Sequence, residues 1–92
     1  MADRVLTLHL KAVYFEAIRD GTKIYENRLR TDYWRKRLVD RHYDRIELAL
    51  GYPARDDFQR RLTRPWRGFE RQTITHPHFG DKPVEVFAIR VN

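Results

Sequence analysis

Leucine recurs at every second position in Val5-Leu6-Thr7-Leu8-His9-Leu10. A period of two is the mark of a half-buried strand, with Leu6, Leu8 and Leu10 toward a core and Val5, Thr7 and His9 facing elsewhere. The period then lengthens. Val13, Tyr14, Ala17 and Ile18 fall on one stripe of a helix over residues 12–20, and Gly21 supplies its stop. Residues 22–30 predict a second strand. Thr31-Asp32 is an N-cap signal for a second helix over residues 33–39. Alternation returns over residues 43–52, with Ile46, Leu48 and Leu50 on one face and Glu47 on the other. Gly51-Tyr52-Pro53 closes that strand.

The second half is less regular. Residues 54–65 are polar and arginine-rich and predict a loop, or a short helix around residues 58–62. Residues 66–75 predict a fourth strand with a bend at Gly68. His76-Pro77-His78-Phe79-Gly80-Asp81-Lys82-Pro83 is a turn-rich loop. Residues 84–91 close the fold, but both alternating sets are apolar, so the pattern leaves their facing open. The order β-α-β-α-β-loop-β-β predicts an α+β fold: a small mixed, partly closed barrel of about five strands with two short helices. The 92 residues form one domain, residues 1–92, with a small core.

The segment richest in chemistry is Gly21-Thr22-Lys23-Ile24-Tyr25-Glu26-Asn27-Arg28, of the form G-x-K-x-x-E-x-R. Glu26 and Arg28, two apart on a strand, point the same way. Lys23 nominally points to the other face and joins them only if the chain turns or bulges near Gly21, which a glycine permits. Together they offer an acid, a compact cation and a planar cation, a set that holds an anionic or heterocyclic ligand or moves a proton. The alternative is a salt-bridge network on an exposed strand. After it, Tyr33 and Arg37 stand at i and i+4 on one helical face, a stacking ring beside a cation. Trp34 and Leu38 are expected in the core.

In order and spacing, Leu6-x-Leu8-x-Leu10-Lys11, Tyr14-Phe15-x-x-Ile18, Gly21-x-Lys23-x-x-Glu26-x-Arg28, Tyr33-Trp34-x-x-Arg37-Leu38 and Gly51-Tyr52 resemble the ASCH domain, a branch of the PUA-like superfamily of RNA-associated β-barrels. Residues 53–82 carry no motif of that family. The resemblance implies a PUA-like barrel and a cleft with Lys23 and Glu26 as candidate catalytic residues and Arg28, Tyr33, Arg37, Lys11 and Tyr52 as candidate ligand contacts. Small amidohydrolases of the family, which deacetylate N4-acetylcytidine, carry G-x-K-x-x-T-x-R. Here Glu26 stands where their threonine nucleophile would be, which puts that reaction in doubt. Other members are linked to metal-independent RNA cleavage, for which Lys23, Tyr25 or Tyr33 and a nearby arginine would be the candidates.

Composition adds a partner class. The net charge of +6 is built from fifteen arginines against four lysines. Arginine makes bidentate contacts to phosphate and stacks on bases, so the charge points to RNA or a nucleotide or nucleoside derived from it. Arg35, Lys36 and Arg41, with Arg60, Arg61, Arg64 and Arg67 interleaved with Phe58, Trp66 and Phe69, are the candidate RNA contacts. Solvated surface charge in an arginine-rich composition is the alternative. There is no cysteine, and His76 and His78 have only Asp81 nearby, so neither a metal site nor a cofactor is expected. His9 and His42 are read as structural. No apolar run approaches ~20 residues and the start lacks a signal-peptide pattern, so no membrane association and a cytoplasmic location are expected. The pattern leaves the oligomeric state open. Carboxylates held between cations are weak bases, so binding ranks above turnover.

Overall fold

The computed structural model describes residues 3–92, apart from the side chain of His78. It contains β1 (Val5–Leu10), α1 (Ala12–Arg19), β2 (Tyr25–Leu29), α2 (Asp32–Leu38), β3 (Arg45–Leu50), β4 (Arg61–Pro65), β5 (Phe69–Ile74) and β6 (Val84–Arg90), with short 3₁₀ turns at Phe58–Arg60 and Pro77–Phe79. The α+β class and the two helices agree with the sequence pattern. The described residues hold six strands, divided into two three-stranded sheets ordered β1-β3-β4 and β2-β6-β5 that do not close on one another.

β1 and β3 run parallel, with Leu6 opposite Ile46 and Leu10 opposite Leu50. The remaining pairs are antiparallel. Leu6, Leu8, Leu10, Ile46 and Leu48 from one sheet meet Phe87, Ile89 and Val91 from the other chain end. Phe15 and Ile18 of α1 and Leu38 of α2 complete this core. The uncertain facing of the last strand has a simple cause. β6 is the central strand of its sheet, and Val86, Phe87, Ala88 and Ile89 are all buried, so both alternating sets need to be apolar.

Three elements depart from the sequence expectation. The inward stripe of α1 is Phe15 and Ile18, whereas Val13 is 64% exposed. Residues 61–65, expected as loop or helix, form the edge strand β4, paired with β3 from Arg45–Pro65 to Ala49–Arg61. The predicted fourth strand starts later, at Phe69, because Gly68 takes φ +81° in the connection. No described helix is long and apolar enough to cross a membrane.

Candidate functional site

The end of α1 sets the geometry of the site. Gly21, at φ +83°, donates from its amide to the Ile18 carbonyl at 3.1 Å, and the Thr22 amide donates to the Ala17 carbonyl at 3.0 Å. These two bonds are a Schellman cap, which needs a left-handed residue where the glycine stands. The amide of Lys23 bonds the same Ala17 carbonyl at 3.1 Å. The chain therefore turns sharply before β2 begins, and Lys23 swings to the side of Glu26 instead of alternating away from it.

Lys23 Nζ lies 3.6 Å from Glu26 Oε1, and Arg28 Nη2 donates to Glu26 Oε2 at 3.0 Å. Each carboxylate oxygen thus faces its own cation. Glu26 is 6% exposed, the one buried charged residue among those described, while the Lys23 and Arg28 side chains are 20% and 21% exposed. Arg28 Nη2 also donates to the His9 carbonyl at 3.0 Å, tying β2 to β1 in the other sheet. Its guanidinium carbon sits 5.0 Å from the ring centroid of Trp34, and Lys23 Nζ sits 5.3 Å from that of Tyr14. Both cations therefore rest on aromatic faces.

A second tie holds Lys23 from behind. Asn92 Nδ2 donates to the Lys23 carbonyl at 2.7 Å and to the Ile18 carbonyl at 2.9 Å, and Arg64 Nε donates to Asn92 Oδ1 at 3.1 Å. The backbone on which Lys23 stands is thereby fixed by β4 and by the segment after β6.

These residues form the floor and one wall of a cavity of about 340 Å³. Lys11, His9, Trp34 and Tyr14 line it, together with Thr31 at the start of α2 and His76 and Phe79 from the loop before β6. A cavity of this size is in the range of small-ligand sites. Among the described residues, three buried polar atoms, all on or beside β2, lack a hydrogen-bond partner: Asn27 Oδ1, Arg28 Nε and Arg30 Nε. Among the described residues no three His, Asp or Glu side chains gather as metal ligands. The side chain of His78, one of the two histidines considered for that role, is outside the described residues.

Comparison of the chain with protein-family models, with curated proteins and with solved structures gives no match.

The other sequence candidates fall into separate places. Tyr33 and Arg37 do stack, with the guanidinium carbon 4.1 Å from the ring centroid, but outside the cavity lining on the exposed side of α2. Tyr52 is 87% exposed and stacks on His9 at the cavity rim. Arg35 pairs with Asp32 at 3.3 Å, Arg41 Nε donates to the Lys36 carbonyl at 3.0 Å, and Arg60 pairs with Asp57 at 2.5 Å. Arg35, Lys36, Arg41, Arg60 and Arg67 are exposed. Arg61 and Arg64 are half-buried and occupied. Arg61 pairs with Glu47 and donates to the Pro53 carbonyl at 2.9 Å, and Arg64 holds Asn92. The two ends of the expected basic surface also lie apart. Arg61 stands opposite Ala49 and Pro65 opposite Arg45, so about 13 Å of strand separates Arg61 from the turn that carries Arg67.

His9, Tyr14, Thr31, Trp34, His76 and Phe79 are not expected in the site from the sequence, Tyr14 being read as part of the apolar stripe of α1. Trp34 had a signal, since it follows the N-cap and precedes a cation-rich turn, but a tryptophan on a helix reads first as core. It serves both ends, packing partly against the core and partly against Arg28. His76 and Phe79 come from a loop some fifty residues from the motif, and no local pattern links the two.

Proposed function

We propose that the cavity binds a nucleotide unit of RNA, and that the domain is an RNA-recognition module of the ASCH type, its two sheets an open variant of the PUA-like barrel. The observation that carries the reading is the Lys23–Glu26–Arg28 cluster at the floor of an aromatic-walled cavity. Lys23 and Lys11 supply compact cations for phosphate, and Trp34 and Tyr14 supply faces for a base or sugar. Glu26 accepts a hydrogen bond from Arg28 and pairs ionically with Lys23, which keeps both cationic heads beside it. A carboxylate so engaged is an anchor for cations, and a hydrogen-bond acceptor for an exocyclic amine, before it is a proton acceptor.

The same occupancy weighs against acyl or phosphodiester hydrolysis by Glu26, because both of its oxygens already face cations at 3.6 and 3.0 Å. The test is a fluorescence titration with single-stranded RNA and single-stranded DNA at two salt concentrations. Binding that weakens steeply with salt, and that falls in Lys23→Ala, supports the reading. Binding that ignores both salt and Lys23 opposes it.

A further inference from the structure

His9 belongs to two structures at once. It lines the cavity, and its ring stacks on Tyr52 with centroids 4.2 Å apart and planes 22° from parallel. The histidine is itself fixed. Its Nδ1 lies 2.8 Å from the Gly51 carbonyl, and since a carbonyl only accepts, Nδ1 carries the proton in that bond. Gly51 takes φ +62° and donates from its amide to the Leu10 carbonyl at 2.9 Å, so the turn that presents Tyr52 is anchored to the end of β1. Tyr52 nevertheless remains 87% exposed. One face rests on His9 and the other looks into solvent. A flat ring seated on a second ring, with its other face open, is a stacking surface.

A cation also stands near both the ring and the cavity. Leu10 and Leu50 are register partners at the ends of parallel strands, so Lys11 and Gly51-Tyr52 leave the sheet side by side. Lys11 is exposed and lines the cavity rim. The cavity, the ammonium-bearing residue and the exposed ring are therefore neighbours on one surface. A single nucleic-acid strand carries matching groups close together: base, phosphodiester, base.

We propose that the ligand is a single-stranded stretch of RNA, with one nucleotide in the cavity, the next phosphodiester over Lys11, and the adjoining base stacked on the outer face of Tyr52. This rests on the reading of the cavity as a nucleotide site and extends it from a unit to a strand. A free nucleoside or mononucleotide would leave Tyr52 without a role.

The experiment titrates the four ribonucleoside 5′-monophosphates and the four matching 5′-phosphorylated homodinucleotides into wild-type protein, Tyr52→Ala and Tyr52→Phe, followed by amide chemical shifts. Stacking of one base on an aromatic side chain is worth about 5- to 150-fold in affinity. The wild type and Tyr52→Phe should bind the best dinucleotide roughly tenfold or more tighter than its mononucleotide. Tyr52→Ala should lose that gain, its dinucleotide and mononucleotide affinities becoming equal. A dinucleotide that binds no tighter than the mononucleotide, or a gain that survives Tyr52→Ala, overturns the stacking surface and leaves the cavity reading standing. If the wild type binds neither ligand, the cavity reading fails, and the strand proposal with it.

Discussion

The guanidinium of Arg28 lies over the indole of Trp34, 5.0 Å from its centroid, while its Nη2 bonds both Glu26 and the His9 carbonyl. One side chain thereby joins β2, β1 and α2 around the cavity. Arg28→Lys keeps the charge but loses the planar fork and the stacking face. It is expected to weaken nucleotide binding about tenfold, equivalent to ~1.4 kcal/mol, with a smaller loss of stability. Paired titration and thermal melts check this.

Glu26 should behave differently from its neighbours. Lys23→Ala removes a partly exposed cation and is expected to reduce binding with little effect on the melt. Glu26→Ala leaves two cations facing each other. Breaking a fully buried pair costs about 3–5 kcal/mol. Here Lys23 and Arg28 retain 20% and 21% exposure and can turn to water, so roughly 2 kcal/mol is expected. Glu26→Gln, which can still accept from Arg28, should fall between. Urea denaturation of the three variants measures the order, and equal stability for all three contradicts it.

Gly21→Ala tests the turn that brings Lys23 into place. The position a methyl group would take has open space for 4 Å around it, so the cost is conformational and not steric. A left-handed residue with a side chain is expected to lower stability by about 1–2 kcal/mol and to weaken binding by displacing Lys23. A melt unchanged from wild type is the contrary result.

The arginines should separate into two classes. Arg61→Ala and Arg64→Ala lose internal bonds to Glu47, Pro53, Asn92 and Ile18, and are expected to destabilise by roughly 1 kcal/mol each without changing the salt dependence of RNA binding. Arg35→Ala, Lys36→Ala, Arg41→Ala and Arg67→Ala should leave the melt alone. Any of these four that contacts phosphate should lower the slope of log affinity against log salt by about one. A uniform response across all six positions contradicts the division.

How much of this was readable from the sequence depends on how local each feature is. The leucine alternation of β1, the cap formed by Thr31 Oγ1 and the Trp34 amide, and the shared side of Glu26 and Arg28 are set by neighbours in the chain. So is the turn at Gly21, a condition visible in the motif, though only the structure supplies the bonds that meet it. β4 was not legible. Arg61-Leu62-Thr63-Arg64-Pro65 has a single large apolar side chain, Leu62, and becomes a strand because β3 offers its free edge, a tertiary cause that overrides weak local preference. The proline sits at the strand's end, where an edge tolerates it. The far wall of the cavity was illegible for the same reason, since only the fold brings His76 and Phe79 to the motif.

The most direct measurement of the central claim is an amide and indole chemical-shift titration with a short single-stranded RNA. The account predicts shifts concentrated at residues 9–11, 23–28 and the Trp34 indole, saturating only at higher RNA concentration in Lys23→Ala while the spectrum stays folded. Saturable shifts confined to the exposed side of α2 and to β4, with the cavity residues silent, would contradict it.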